Sequence, residues 1–266
     1  MKITANGVQI HLKDQGSGTP IVFLHYWGGS SRTWDDVIAA LPNTYRSIAP
    51  DHRGWGDSEA PASGYALADF ADDAQQLITA LNLPRFVLVG HSMGGKIAQL
   101  LASRRPAGLL GLVLVAPSPP IPLVLPPEIQ AAMEGAYLSR ESIGMAIDQM
   151  LSATPLSAKH REQVIEDSLR GAPQARDAWP KSTSKEDITL EVGAIDVPTL
   201  VIAGELDRID SVATLEAELL PRIPQATLHI LPDTGHLSPL EAPVEIAQVI
   251  GEFVSELERH FYSEIL

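Results

Sequence analysis

The segment Phe86-Val87-Leu88-Val89-Gly90-His91-Ser92-Met93-Gly94-Gly95 carries an apolar run straight into a glycine-flanked serine. Four residues suited to a doubly buried strand precede Gly-x-Ser-x-Gly, and residues 96–105 after it have a helix-compatible pattern. A strand that turns into a helix through such a pentapeptide holds the serine in a strained backbone with its hydroxyl exposed. Gly90 and Gly94 suit the turn because a β-carbon at either place would meet neighbouring backbone. Ser92 is therefore the candidate nucleophile. The pentapeptide alone is of moderate specificity; the strand before it and the helix after it add weight.

Similar apolar runs recur at 9–14, 21–24, 46–49 and 112–115, and again at 199–203 and 227–231. The short, nearly unbroken ones fit strands buried on both faces of a sheet. Helical periodicity lies between them over 67–81 and 97–105. Phe70, Ala74, Leu77, Ile78 and Leu81 can share one face there, with Asp69, Asp72, Asp73 and Gln76 on the other. Strand alternating with helix predicts an α/β fold with a mostly parallel central sheet flanked by helices.

The rhythm breaks after Ala116. Pro117, Pro119, Pro120, Pro122, Pro126 and Pro127 crowd one segment, with Ile121, Leu123, Val124 and Leu125 between them. Proline fixes φ and cannot continue a helix or a ladder, so this is a semi-rigid link. Helical patterns follow at 128–137, 140–151 and 158–169, then a polar stretch through 179–185. A last helix is expected from 243 to about 261. The expected organisation is a core made of residues 1–116 and 192–266, interrupted by a helical cap over 117–191.

The chain of 266 residues can bury one large core. Its net charge of -14 argues against nucleic acid or an anionic membrane as partner, since phosphate neutralisation needs a basic surface. There is no cysteine, which excludes disulfides, thiolate-bound zinc and thiol catalysis. Neither a signal peptide nor a membrane-spanning run is visible, so the cytoplasm is the expected compartment. The proline link and cap offer a surface either for roofing a pocket or for a second subunit, which leaves a homo-oligomer open.

A serine hydroxyl needs a base to take its proton, and the base needs a carboxylate to hold its tautomer. In a parallel sheet these belong on loops beyond the carboxyl ends of strands. Two later loops qualify. The run 199–203 leads into Gly204-Glu205-Leu206-Asp207-Arg208-Ile209-Asp210, and the run 227–231 into Pro232-Asp233-Thr234-Gly235-His236. His236 is the expected general base. Asp207, nearest the strand end, is the expected orienting acid, and Asp210, one helical turn on, is its competitor. His91 is expected to pack in the core. Developing negative charge needs preorganised amides. The Met93 N–H at the helix start and the Trp27 N–H in the loop His25-Tyr26-Trp27-Gly28-Gly29-Ser30 are the expected donors.

With these pieces in place the chain resembles the α/β-hydrolase superfamily, in particular the small lipase/esterase and cofactor-free haloperoxidase-like branch with a helical cap. The resemblance rests on residues 25–30, the segment Asp51-His52-Arg53-Gly54-Trp55-Gly56-Asp57-Ser58, residues 90–95, the loop at Asp207 and Gly235-His236. They span nearly the whole expected core in order. Where the family usually has glycine after the oxyanion-loop histidine, this chain has Tyr26, which keeps its N–H. The resemblance implies that residues 51–58 shape the sheet edge beside the site.

Serine at position 92 supports acyl transfer, whereas relatives that open epoxides or displace halide attack with aspartate. A carboxylesterase acting on small to medium, largely apolar esters is the expectation. Lactone hydrolysis and perhydrolysis or apparent haloperoxidase activity would use the same machinery. A ligand-binding receptor on a hydrolase scaffold is the reading from another class. No metal-ligand motif or phosphate loop is present, and the mechanism calls for no metal or cofactor. Tyr26, Trp27, Met93, Met145, Met150, Trp179 and Leu237 are the expected pocket-lining residues.

Overall fold

Runs rich in valine, leucine and isoleucine build the centre of the molecule, because such side chains pack well on a pleated surface covered on both faces. The computed structural model describes residues 1–265, and the side chains of residues 1–260. Its strands are β1 (Lys2–Ala5), β2 (Val8–Gly16), β3 (Thr19–Leu24), β4 (Tyr45–Pro50), β5 (Phe86–His91), β6 (Leu109–Val115), β7 (Thr199–Gly204) and β8 (Ala226–Leu231). They form one sheet in the order β1-β2-β4-β3-β5-β6-β7-β8. β2 pairs antiparallel with β1 and β4; every later pairing is parallel.

Alternation along the strands divides the core in two. Val22, Leu24, Leu88, Leu112, Leu114 and Val201 belong to one buried cluster, which includes Leu77 and Ile78 of α2 (Leu67–Ala80) and Ile97 and Leu101 of α3 (Met93–Ser103). Phe23, Val87, Val89, Val113, Val115 and Ile202 belong to the other. There they meet Val37 and Ile38 of α1 (Asp35–Ala40), and Ile246, Ile250 and Val254 of a helix running from Pro243 to Ile265. That helix extends a turn beyond its expected end at 261.

Between β6 and β7 the described chain contains helices only: α4 (Pro127–Gly135), α5 (Arg140–Ala146), a π turn over Ile147–Leu151, α6 (Ala158–Arg170), α7 (Pro173–Lys181) and short 3₁₀ turns. Two expectations need correction. The pattern at 140–151 is not one α-helix, because the π turn interrupts it, closed by a Ser152 N–H to Ile147 carbonyl bond of 3.0 Å. The polar stretch at 179–185 begins inside α7, which tolerates Pro180 near its end. The short helix α8 (Val212–Glu218) follows β7, while α9 (Ser238–Glu241) and α10 (Pro243–Ile265) close the chain. No helix among the described residues is long and apolar enough to cross a membrane.

Register decides where the functional loops emerge. Leu24 lies opposite Gly90, His91 opposite Val115, Val115 opposite Ile202, and Gly204 opposite Leu231. The loops after β3, β5, β7 and β8 therefore leave the same edge of the sheet, where parallel sheets converge their ligands.

Candidate active site

Ser92 stands between β5 and α3 with φ 53° and ψ −114°, a conformation that costs an L-residue free energy and persists only where its surroundings impose it. The imposition is visible. A β-carbon on Gly94 would lie 2.4 Å from the Leu24 carbonyl oxygen, and one on Gly90 2.3 Å from the Gly94 oxygen. Helix α3 thus packs backbone to backbone against the central strands. Gly94→Ala is expected to lose on the order of 3 kcal/mol of stability, because the contacting atoms are main chain and cannot swing away. Urea denaturation measures this, and an unchanged midpoint would mean that the turn is looser than described.

Three loops bring their side chains into series. His236 Nε2 lies 2.8 Å from Ser92 Oγ, and His236 Nδ1 lies 2.9 Å from Asp207 Oδ2. All three residues are buried. Asp207 Oδ1 accepts from the amides of Ile209 and Asp210 at 2.8 and 3.1 Å, so its carboxylate is fixed by its own loop. Burial pulls His236 down, but the charge of Asp207 and its hydrogen bond, with Asp210 and Glu241 further off, leave the imidazole above its ordinary value. Such a series can pass a proton from a hydroxyl to an imidazole and stabilise the imidazolium.

His91, next to the serine, donates from Nε2 to the His236 carbonyl at 2.7 Å. Burial depresses its basicity well below the ordinary value. Tyr26 packs on it, with ring centroids 5.1 Å apart, and His91 in turn lies 5.4 Å from the His236 ring. His91 and Tyr26 therefore brace the His236 loop.

Neither the Met93 nor the Trp27 N–H has a hydrogen-bond partner among the described residues, and Met93 opens α3, where the helix dipole favours an anion. The loop carrying Trp27 is held by paired imidazoles. The His52 N–H donates to His25 Nε2 at 2.9 Å, which leaves His25 Nδ1–H to donate to the Tyr26 carbonyl at 2.7 Å. Burial pushes His25 down to about 3, so it stays neutral. Asp51 fixes the neighbouring turn by accepting from the Ser31 and Asp57 amides at 2.6 and 2.9 Å. His11, Asp51 and Asp57 bring potential ligand atoms within 4.8 Å of one another, but both Asp51 oxygens already serve these amides, which marks the group as a turn lock.

The helical segment between β6 and β7 reaches this loop at a carbonyl left without its usual donor in α7. Pro180 has no N–H to give to the carbonyl four residues earlier. The Trp27 indole takes that place, donating from Nε1 to the Arg176 oxygen at 3.1 Å. The Tyr137 ring stacks on Trp27 at 4.0 Å and its hydroxyl donates to the Trp27 carbonyl at 3.0 Å. Glu241 makes a second tie: its Oε2 accepts from Ala153 and Thr154 in the cap and from Gly235 beside the imidazole.

The expected lining residues divide. Trp27, Met93, Trp179 and Leu237 are buried in one cluster, and the Leu237 N–H donates to Leu151 of the cap at 2.9 Å. Met145 and Met150 do not join them: they are 49% and 42% exposed. Ile143, Ile147 and Leu151, four residues apart, form the inward stripe. The wide π turn shifts the phase, so Leu151 rather than Met150 takes the inward position.

Lys96 is a buried charge close to the nucleophile turn that the sequence did not single out. It is completely buried on α3, one turn after Ser92, and its Nζ donates to the carbonyls of Ile121 and Ser184 at 2.8 and 3.2 Å. Those carbonyls lie on either side of the run of helices α4 to α7. Burial pulls Lys96 down to about 8 against the opposing charges of Glu186, Asp187 and Asp210. The signal available in the sequence was a lysine between Gly95 and the core-facing Ile97. Two surface grooves, of about 420 and 480 Å³, lie elsewhere: one beside Tyr65 and α7, the other between α1 and α10.

Residues 21–249 match the profile described as the Alpha/beta hydrolase family. A non-heme haloperoxidase from Rhodococcus erythropolis is 31% identical over 248 residues, covering 87% of this chain and 90% of that protein. A 2-hydroxymuconate semialdehyde hydrolase from Pseudomonas sp. strain CF600 is 29% identical over 270 residues, covering 97% and 94%. An esterase from Exiguobacterium antarcticum superposes with a TM-score of 0.87 at 25% identity, covering 97% of this chain and 98% of the other.

Proposed function

Because this chain belongs to the alpha/beta hydrolase family, we propose that it is a serine carboxylesterase acting on small to medium, largely apolar esters. The observation that carries the reading is the unbroken hydrogen-bonded series from Ser92 through His236 to Asp207. Ser92 Oγ attacks the ester carbonyl carbon as His236 Nε2 takes the hydroxyl proton, and the amides of Trp27 and Met93 receive the oxyanion. Collapse breaks the bond to the alkoxy oxygen, and His236 hands its proton to the departing alcohol. Water then attacks the acyl-enzyme by the same route, releasing the acid and restoring the hydroxyl.

The likeness to an esterase structure supports ester substrates. The strained Ser92 backbone supports an enzyme over a scaffold that only binds, because strain is retained where function needs it. A second reading draws on the haloperoxidase relative. Hydrogen peroxide would replace water in attacking the acyl-enzyme and leave as a peracid, which oxidises halide in solution.

A panel of p-nitrophenyl esters of rising acyl length, bulky chiral esters and lactones, each with and without hydrogen peroxide, tests both readings. Turnover of short to medium esters that disappears in Ser92→Ala is the expected result. Activity undiminished in Ser92→Ala would reject the proposal, and peracid formed only with an intact Ser92 would add the second activity.

A further inference from the structure

Asp210 is left over once Asp207 has bonded His236. It is only 5% exposed, yet among the described residues no hydrogen bond reaches its carboxylate; its backbone N–H alone is used, in donating to Asp207 Oδ1. A carboxyl so largely withdrawn from water is costly to ionise unless nearby charges repay it, and Asp210 sits directly beside Asp207, whose Oδ1 accepts its N–H at 3.1 Å. Its electrostatic neighbours are His236, Asp207 and Lys96. Two of these belong to the hydrogen-bonded series, and the third is the buried cation on the nucleophile's helix.

We propose that Asp210 is a positioning residue of the triad, a second carboxylate whose charge acts through space on the His236 imidazole and stabilises the imidazolium formed during acyl transfer. This rests on the reading of Ser92, His236 and Asp207 given above. Asp207 aligns the ring by direct contact, and Asp210 adds charge without touching it. Burial pushes Asp210 up to about 7, with Asp207 pushing the same way and His236 and Lys96 opposing. Glu241 is the remaining acid felt by His236, while Glu186 and Asp187 face Lys96. As Asp210 gives its proton to solvent near neutral pH, the imidazolium gains a second anionic neighbour.

The signs of the consequences differ from those of a structural role. Removing the Asp210 charge makes His236 less basic, so the acidic limb of kcat/KM moves to lower pH while its plateau falls. Stability responds in the other sense. A carboxyl whose folded-state pKa is raised supports the fold fully below its unfolded value of 3.8 and loses that support as pH rises through about 7. Asp210→Asn should therefore melt above the native protein at pH 8, with the gap closing toward pH 4.

The test follows His236 by NMR titration of its ring protons in the native protein and in Asp210→Asn, beside melting curves and the pH profile with p-nitrophenyl butyrate. The proposal expects a lower His236 midpoint, a limb displaced to lower pH, a plateau about tenfold lower and a higher melting point at pH 8. Asp210→Glu should keep the native limb. An unmoved His236 midpoint, or an equal displacement in Asp210→Glu, overturns the proposal. A moved midpoint in a protein that hydrolyses no ester would reject the esterase reading and leave the action of Asp210 on the imidazole standing.

Discussion

His236→Ala is expected to lower kcat on p-nitrophenyl esters by on the order of 10⁵-fold or more, with the urea midpoint shifting far less. The expected loss is this large because, among the described residues, His236 alone is bonded to the Ser92 hydroxyl. His236 Nε2 is the group bonded to Ser92 Oγ, whereas the Nε2–H of the adjacent His91 is committed to the His236 carbonyl and burial keeps that ring neutral. Without the imidazole the hydroxyl keeps its proton, and only the two amides and substrate binding contribute. Steady-state assays across pH 6 to 9 check the claim. A loss of tenfold or less would mean that another group takes the proton.

Asp207→Asn is expected to reduce kcat by on the order of 10⁴-fold with little effect on folding. An asparagine oxygen can still accept from the Ile209 and Asp210 amides, which preserves the loop. Its amide then faces His236 Nδ1 as a donor and favours the ring tautomer that carries the proton on Nε2. That tautomer has nothing to accept the serine proton with. Asp210→Asn should cost only about tenfold under the same conditions, since it changes charge and not tautomer. The reverse order of losses would make Asp210 the orienting acid.

The elements that define the fold were legible because their sequences agree with their surroundings. Residues 86–89 and 112–115 are unbroken apolar runs and lie in β5 and β6, buried on both faces. The family assignment drawn from residues 25–30, 51–58, 90–95 and the two later loops agrees with the matched profile. The helices between β6 and β7 were less legible, since their details depend on partners distant in sequence. Pro180 argues locally against a helix, and α7 accommodates it where the indole of Trp27, remote in sequence, occupies the freed carbonyl. Met145 and Met150 suit an apolar pocket by chemistry, but Met145 lies off the stripe of Ile143 and Ile147, and a π turn, which no local pattern announces, gives the inward position to Leu151 in place of Met150. Lys96 and Glu241 were passed over because charged residues are ordinarily exposed. The burial of Lys96 and the partial burial of Glu241 depend on carbonyls and amides that the segment between β6 and β7 brings to them.

We propose that one hydroxyl, at Ser92, is made nucleophilic by an imidazole and a carboxylate from remote loops. Labelling the native protein with a fluorophosphonate, followed by peptide mass spectrometry, tests it most directly. A single adduct on the peptide containing Ser92, formed slowly or not at all in His236→Ala, is the expected result. An adduct on a different residue, or labelling at Ser92 as fast without the imidazole as with it, would contradict it.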